Sequence, residues 1–132
     1  MPTNMSVSSQ PQIFLSTADF SRLEALASAA LDKFPAAASL LLSEIDRAEV
    51  RPQSELPADV VTMNSRVRFR DEATGAERQV ELVYPPEADI AAGRISVLTL
   101  IGATLIGVGV GQSIDCPTTS GKSRALTVLG VN

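Results

Sequence analysis

At 132 residues, 45% of them hydrophobic and 20% charged, the chain is long enough to bury one core and reads as one globular domain, alone or with an appendage. A net charge of −4 argues against autonomous binding to DNA or RNA, where phosphate contacts call for a basic excess; any contact with nucleic acid would be indirect, through a protein. With no histidine and one cysteine, Cys116, the chain has no Ser-His-Asp or Cys-His site, no phosphohistidine chemistry, no imidazole metal ligand and no internal disulfide, which fits a reducing cytoplasm.

Residues 1–12 are rich in Ser, Pro and Gln, and lack both the positive charge and the apolar stretch of a secretory signal. They read as a disordered tail. The tail is taken to end at residue 15, although Ile13-Phe14-Leu15 is an apolar patch suited to an edge strand or to stapling the next helix.

Ser16, Thr17 and Asp19 form a helix start. Phe20, Leu23, Ala27, Ala30 and Phe34 then follow a three-to-four spacing, which predicts a helix to about Phe34. Pro35 opens a second helix over residues 36–48, with an apolar stripe of Ala38, Leu41, Leu42, Ile45 and Ala48 and with Glu44, Asp46, Arg47 and Glu49 polar. Joined this closely, the two make an antiparallel α-hairpin over residues 16–50, with Asp32, Lys33, Phe34 and Pro35 at its tip. A pair this short should pack at its base on the C-terminal part of the chain. The linker 50–58, containing Pro52 and Pro57, marks the boundary to a second unit, 51–132.

Val67 and Phe69 alternate with Arg66, Arg68 and Arg70, the pattern of a half-buried strand. Residues 71–75 form a turn with Gly75 at a positive φ, and the return strand, Arg78 to Tyr84, faces Val80, Leu82 and Tyr84 inward. Arg66, Arg68, Arg70 and Arg78 read as a solvated face neutralised by Glu77 and Glu81. Pro85-Pro86 ends the strand, and Gly93 stops a short helical turn. Residues 95–98 form another strand, 99–106 a short helix with Gly107 at its C-terminal cap, 113–116 and 125–131 the last strands. The apolar run Val97 to Val110 is 14 residues, short of the roughly 20 that span a bilayer. The class is therefore α+β: an α-hairpin followed by a mainly antiparallel, strongly bent sheet with one small helix.

Two local motifs are decoys. Gly121-Lys122-Ser123 lacks the glycine of a phosphate-binding loop at position 116 and sits in a hairpin turn. Gly107, Gly109 and Gly111 lack the dinucleotide spacing and the following helix. Cys116 reads as a small core or strand-end residue.

Val60-Val61-Thr62-Met63-Asn64-Ser65-Arg66-Val67-Arg68-Phe69 resembles the signature of the Rnk family, regulators of nucleoside diphosphate kinase. Leu41 to Ala48, Leu82 to Pro85, Gly93 to Leu98 and Val110 to Ile114 continue the resemblance, which runs in order from Phe20 to Val131. The family is related to the Gre transcript-cleavage factors. The resemblance implies a shortened coiled coil ahead of an FKBP-like domain that docks on a coiled coil of the RNA polymerase β′ subunit, at the rim of the secondary channel. The docking loop would be Leu98, Thr99, Leu100, Ile101 and Gly102, with Leu105 behind it. Leu100 stands where the family usually has proline.

Gre factors carry acidic residues at the coiled-coil tip that help hold a catalytic Mg²⁺ in the polymerase. Here Asp32 has no second carboxylate close by in the turn, and one exposed Asp is a poor Mg²⁺ site. The expectation is a monomeric, cytoplasmic, non-enzymatic regulator without cofactor or metal. It would bind polymerase and compete with Gre-type factors, without stimulating transcript cleavage. The alternative is direct regulation of a nucleoside diphosphate kinase or another nucleotide-metabolising enzyme. A prolyl isomerase would need a concave aromatic lining, for which Phe69 and Tyr84 are the only candidates.

Overall fold

A computed structural model describes residues 11–118 and 120–132. The expected disorder of residues 1–10 lies outside the described residues. Residues 13–15, expected to belong to the tail, are ordered. Ile13 and Leu15 are buried in the core. Strand β1 (Phe14–Ser16) runs parallel to β2 (Glu49–Arg51). The Phe14 amide also donates to the Gly107 carbonyl at 3.1 Å. That contact needs glycine at 107 twice over: its φ is +81°, and a Cβ there would meet the Phe14 oxygen at 2.9 Å.

Helix α1 (Thr17–Ala29) starts where predicted, with Ser16 Oγ accepting from the Asp19 amide at 3.0 Å. It ends five residues short of Phe34. Phe34 precedes proline, which disfavours the helical region, and adopts φ −130°, ψ 63°. Residues 30–34 therefore form the connection, and Pro35 occupies the first turn of α2 (Pro35–Arg47). Phe34 is 50% exposed, so it does not continue the buried stripe of α1.

The buried face of α2 is Ala37, Ala38, Leu41, Glu44 and Ile45, while Leu42 and Ala48 are only half-buried. Glu44, read from the sequence as an exposed polar residue, is 4% exposed. Its carboxylate accepts from Arg47 Nη2 at 2.7 Å and Nε at 3.1 Å. Arg47 Nη1 also donates to the Pro11 carbonyl at 2.5 Å. Burial of the charge is thus compensated, and the same arginine ties residue 11 to α2.

The second unit is a five-stranded sheet of order β5-β4-β3-β7-β6, made of β3 (Arg66–Asp71), β4 (Glu77–Val83), β5 (Arg94–Ser96), β6 (Ser113–Pro117) and β7 (Ser123–Val131). All pairings are antiparallel except β4 with β5. A bulge between Arg68 and Phe69 sharpens the bend of β3 against β7. Val67 and Phe69 are buried as the alternation predicts, and Gly75 and Gly93 take the positive φ of their turns, 78° and 79°.

The short helix α3 (Leu100–Leu105) packs against α2 and β6. Buried side chains from the hairpin (Leu23, Leu41, Ile45), the sheet (Phe69, Leu82, Leu126, Val128) and α3 (Ala103, Leu105) form one core cluster. The hairpin is thus joined to the sheet through a shared core as well as through β1 and β2. At that junction the Arg22 guanidinium of α1 stacks 4.2 Å from the centre of the Tyr84 ring.

Candidate functional site

The turn from β5 into α3 is built from short polar side chains. Ser96 Oγ accepts from the Leu98 amide at 2.9 Å, and the Val97 amide returns to the Val83 carbonyl of β4 at 2.9 Å. Thr99 is the N-cap of α3. Its hydroxyl donates to the Ser96 carbonyl at 2.8 Å and accepts from the Gly102 amide at 3.0 Å. Both functions of that hydroxyl are spent on shaping the turn. Gly102 completes the constraint, because a Cβ there would overlap the Ser96 carbonyl oxygen and meet Val97 Cα at 3.0 Å.

This turn forms one wall of an open groove with a cavity volume of about 400 Å³. Leu100 and Ile101 line that wall, Phe69 and Val80 the sheet side, and Cys116 and Pro117 the side of β6. Arg78 and Arg124 also line it, and both are exposed. Of the anticipated docking residues, Leu98, Gly102 and Leu105 are buried and act as support. Thr99 is exposed, and Leu100 and Ile101 are half-buried. The hairpin-tip residues Asp32, Lys33, Phe34 and Pro35 are exposed in the connection between α1 and α2, and none of them lines the groove.

Arg78 is the residue that the sequence reading misplaced. It pairs with Phe69 across the β3–β4 ladder and shares strand parity with Val80 and Leu82, so it belongs to the inner face. Its guanidinium lies 5.9 Å from the Phe69 ring centre. Arg66, Arg68 and Arg70 occupy the opposite face and pair in register with Glu81, Gln79 and Glu77. Parity alone separates Arg78 from the other three. By the same rule Arg124, opposite Cys116 in the β6–β7 ladder, faces inward, where Asp71 Oδ2 accepts from its Nη1 at 2.5 Å.

The one thiol of the groove is not activated. Burial pushes the Cys116 thiol above its ordinary value, against the smaller opposing effects of the Thr104 hydroxyl and the Arg124 charge. A raised thiol is a poor nucleophile. Of the two aromatic residues considered for an isomerase lining, Phe69 lines the groove while Tyr84 sits under Arg22 at the hairpin junction. Among the described residues no group of three acidic, cysteine or histidine side chains is placed to hold a metal ion, and no helix is long and apolar enough to cross a membrane.

Residues 56–132, which contain the whole groove, match the family model described as transcription elongation factor GreA/GreB, C-terminal domain. Residues 11–50 match the model of the Rnk N-terminus. The chain belongs to the Rnk family of Gre-related factors. It is 37% identical over 121 residues to a protein from Escherichia coli (strain K12) named regulator of nucleoside diphosphate kinase, covering 92% of this chain and 89% of that one.

Transcription elongation factor GreA from Methylobacterium sp. (strain 4-46) is 35% identical over 91 residues, 69% of this chain and 57% of the relative. Among solved structures, a GreA/GreB-type elongation factor from Nitrosomonas europaea superposes with a TM-score of 0.72 at 37% identity, over 93% of this chain and 99% of that one. The factor Gfh1 shares the fold at a TM-score of 0.51 and 18% identity. These Rnk and Gre-type relatives bear the names of regulators and transcription factors, not of enzymes.

Proposed function

We propose that this Rnk-family protein regulates transcription by docking on RNA polymerase at the rim of the secondary channel, through the β5–α3 turn and the groove beside it. The observation that carries the reading is the half-exposure of Leu100 and Ile101 on a turn held rigid by Thr99 and Gly102, at an open groove. That turn lies inside the segment matching the GreA/GreB C-terminal domain. The partner surface is the coiled coil of the β′ subunit. A turn pre-shaped by its own hydrogen bonds loses little freedom on binding, which favours affinity.

Occupancy is the mechanism. Helices of 13 residues make an arm of about 20 Å, long enough to obstruct a channel mouth and too short to act as a Gre arm. The protein thereby competes with Gre-type factors and does not stimulate transcript cleavage; Asp32 is the single carboxylate of the connecting turn. The protein acts as a monomer in the cytoplasm. The name of the Escherichia coli relative supports a second reading, direct action on a nucleoside diphosphate kinase.

A pull-down from extract with the purified chain separates the two. Recovery of polymerase core subunits supports docking, and recovery of the kinase without polymerase refutes it. A cleavage assay on backtracked complexes tests the rest, since robust cleavage by the pure protein contradicts an occupancy mechanism.

A further inference from the structure

The geometry points to Arg78 as a selector of charge: we infer that the groove takes a partner segment carrying an apolar anchor flanked by carboxylates. This rests on the docking reading above and specifies the chemistry of the surface that the groove accepts. Three observations carry it.

First, Arg78 is on the inner face of the sheet by strand parity and lines the groove with Phe69 and Val80. Secondly, its guanidinium makes no carboxylate pair among the described residues. Its neighbours are committed: Arg68 to Glu77, Arg70 to Glu72, Arg94 to Glu81 and Arg124 to Asp71. Thirdly, no acidic side chain lines the groove among the described residues. The carboxylate of Asp71, on the strand beside the groove, is held by Arg124. The groove is therefore apolar with a positive rim, in a protein whose net charge is −4. A guanidinium over a ring at the edge of an apolar surface can meet an incoming carboxylate while its stem stays packed. An apolar side chain seated against Leu100 and Ile101 would bring an adjacent Asp or Glu to that guanidinium.

A second copy of this chain is the competing occupant. The hairpin carries its own groove, where Phe20 and Leu42 lie beside Glu24 and Asp46.

The test uses the full chain and two fluorescent helical peptides that share a Leu-Phe anchor, one flanked by glutamates and the other by lysines. Anisotropy titrations at about 50 mM and about 300 mM salt span the screening range of surface charges. The glutamate peptide should bind about tenfold tighter at low salt, with the gap narrowing at high salt. Its amide chemical-shift changes should fall on Phe69, Ile101 and Cys116. R78Q should close most of the gap and keep the melting temperature, whereas R66Q, on the opposite face, should preserve the gap. Equal affinity for the two peptides, no binding of either, discrimination that survives R78Q, or self-association that buries the groove would each overturn the inference. None of these readouts involves polymerase, so they fail or succeed separately from the docking reading.

Discussion

Gly102→Ala is the smallest change that should disable the groove. Gly102 does not take a positive φ, so alanine meets no backbone penalty there and the cost is purely steric. The added methyl would overlap the Ser96 carbonyl oxygen and press on Thr99 Oγ1 and Val97 Cα, each at 3.0 Å. Two of these neighbours are backbone atoms of the β5–α3 turn, which cannot rotate away. The first turn of α3 must move outward, and the hydrogen bond from the Gly102 amide to Thr99 goes with it.

Overpacking a tight site costs about 1–3 kcal/mol, and losing an N-cap adds about 1 kcal/mol. The sum, about 2–4 kcal/mol, should lower the melting temperature of a chain of this size by about 6–20 °C. Gly75→Ala is the internal control. Nothing lies within 4 Å of its Cβ position, but its φ is +78°, so it should cost only about 1 kcal/mol through backbone strain. Thermal unfolding followed by circular dichroism measures both. If Gly102→Ala melts within about 2 °C of wild type, the turn is not constrained as described.

Three further outcomes are expected from the packing. Glu44→Gln should destabilise the hairpin by about 1–2 kcal/mol, since it strands Arg47 beside a buried site; a urea titration reads this, with a discount for the partial exposure of Arg47. Arg22→Ala should cost about 0.5–1 kcal/mol by removing the stacking on Tyr84 that helps couple α1 to the sheet, and the loss should vanish in a Tyr84→Leu background. Burial holds the Cys116 thiol above its ordinary 9.0 and the Tyr84 phenol above its ordinary 10.0, with the Asp19 charge adding to the latter. The folded state then keeps both protons more tightly than the unfolded chain. Their contribution is complete below about pH 9 and is lost as the pH rises through the folded values. Cys116→Ala should flatten the start of that alkaline decline, as read in melts from neutral to alkaline pH.

Much of the β unit was legible because its signals are local. Alternation at Val67 and Phe69 marked β3, Gly75 marked a turn with positive φ, Gly93 and Gly107 marked the ends of short helical segments, and the apolar run 99–106 marked α3. What escaped was non-local or a matter of parity. Ile13–Leu15 was read as suited to an edge strand, but no local signal gave its parallel partner over thirty residues away. Glu44 had the composition of an exposed residue and is buried only because Arg47 can reach it and Pro11 together. The end of α1 was placed too late because apolar spacing persists through Leu31 and Phe34, although Pro35 removes Phe34 from the helix. At the site, Leu100 and Ile101 were located by resemblance rather than by physics. Arg78 was grouped by composition with Arg66, Arg68 and Arg70, when counting from Val80 places it on the inner face.

The docking claim is tested most directly by the affinity of the full chain for core RNA polymerase, compared with that of a Leu100→Ser, Ile101→Asn double variant. Thr99 stays in place because it caps α3, so the variant changes what the turn presents and not how it is built. The account predicts that wild type binds and that the variant loses at least about tenfold in affinity while keeping its circular dichroism spectrum. Undiminished binding by a folded variant would contradict it.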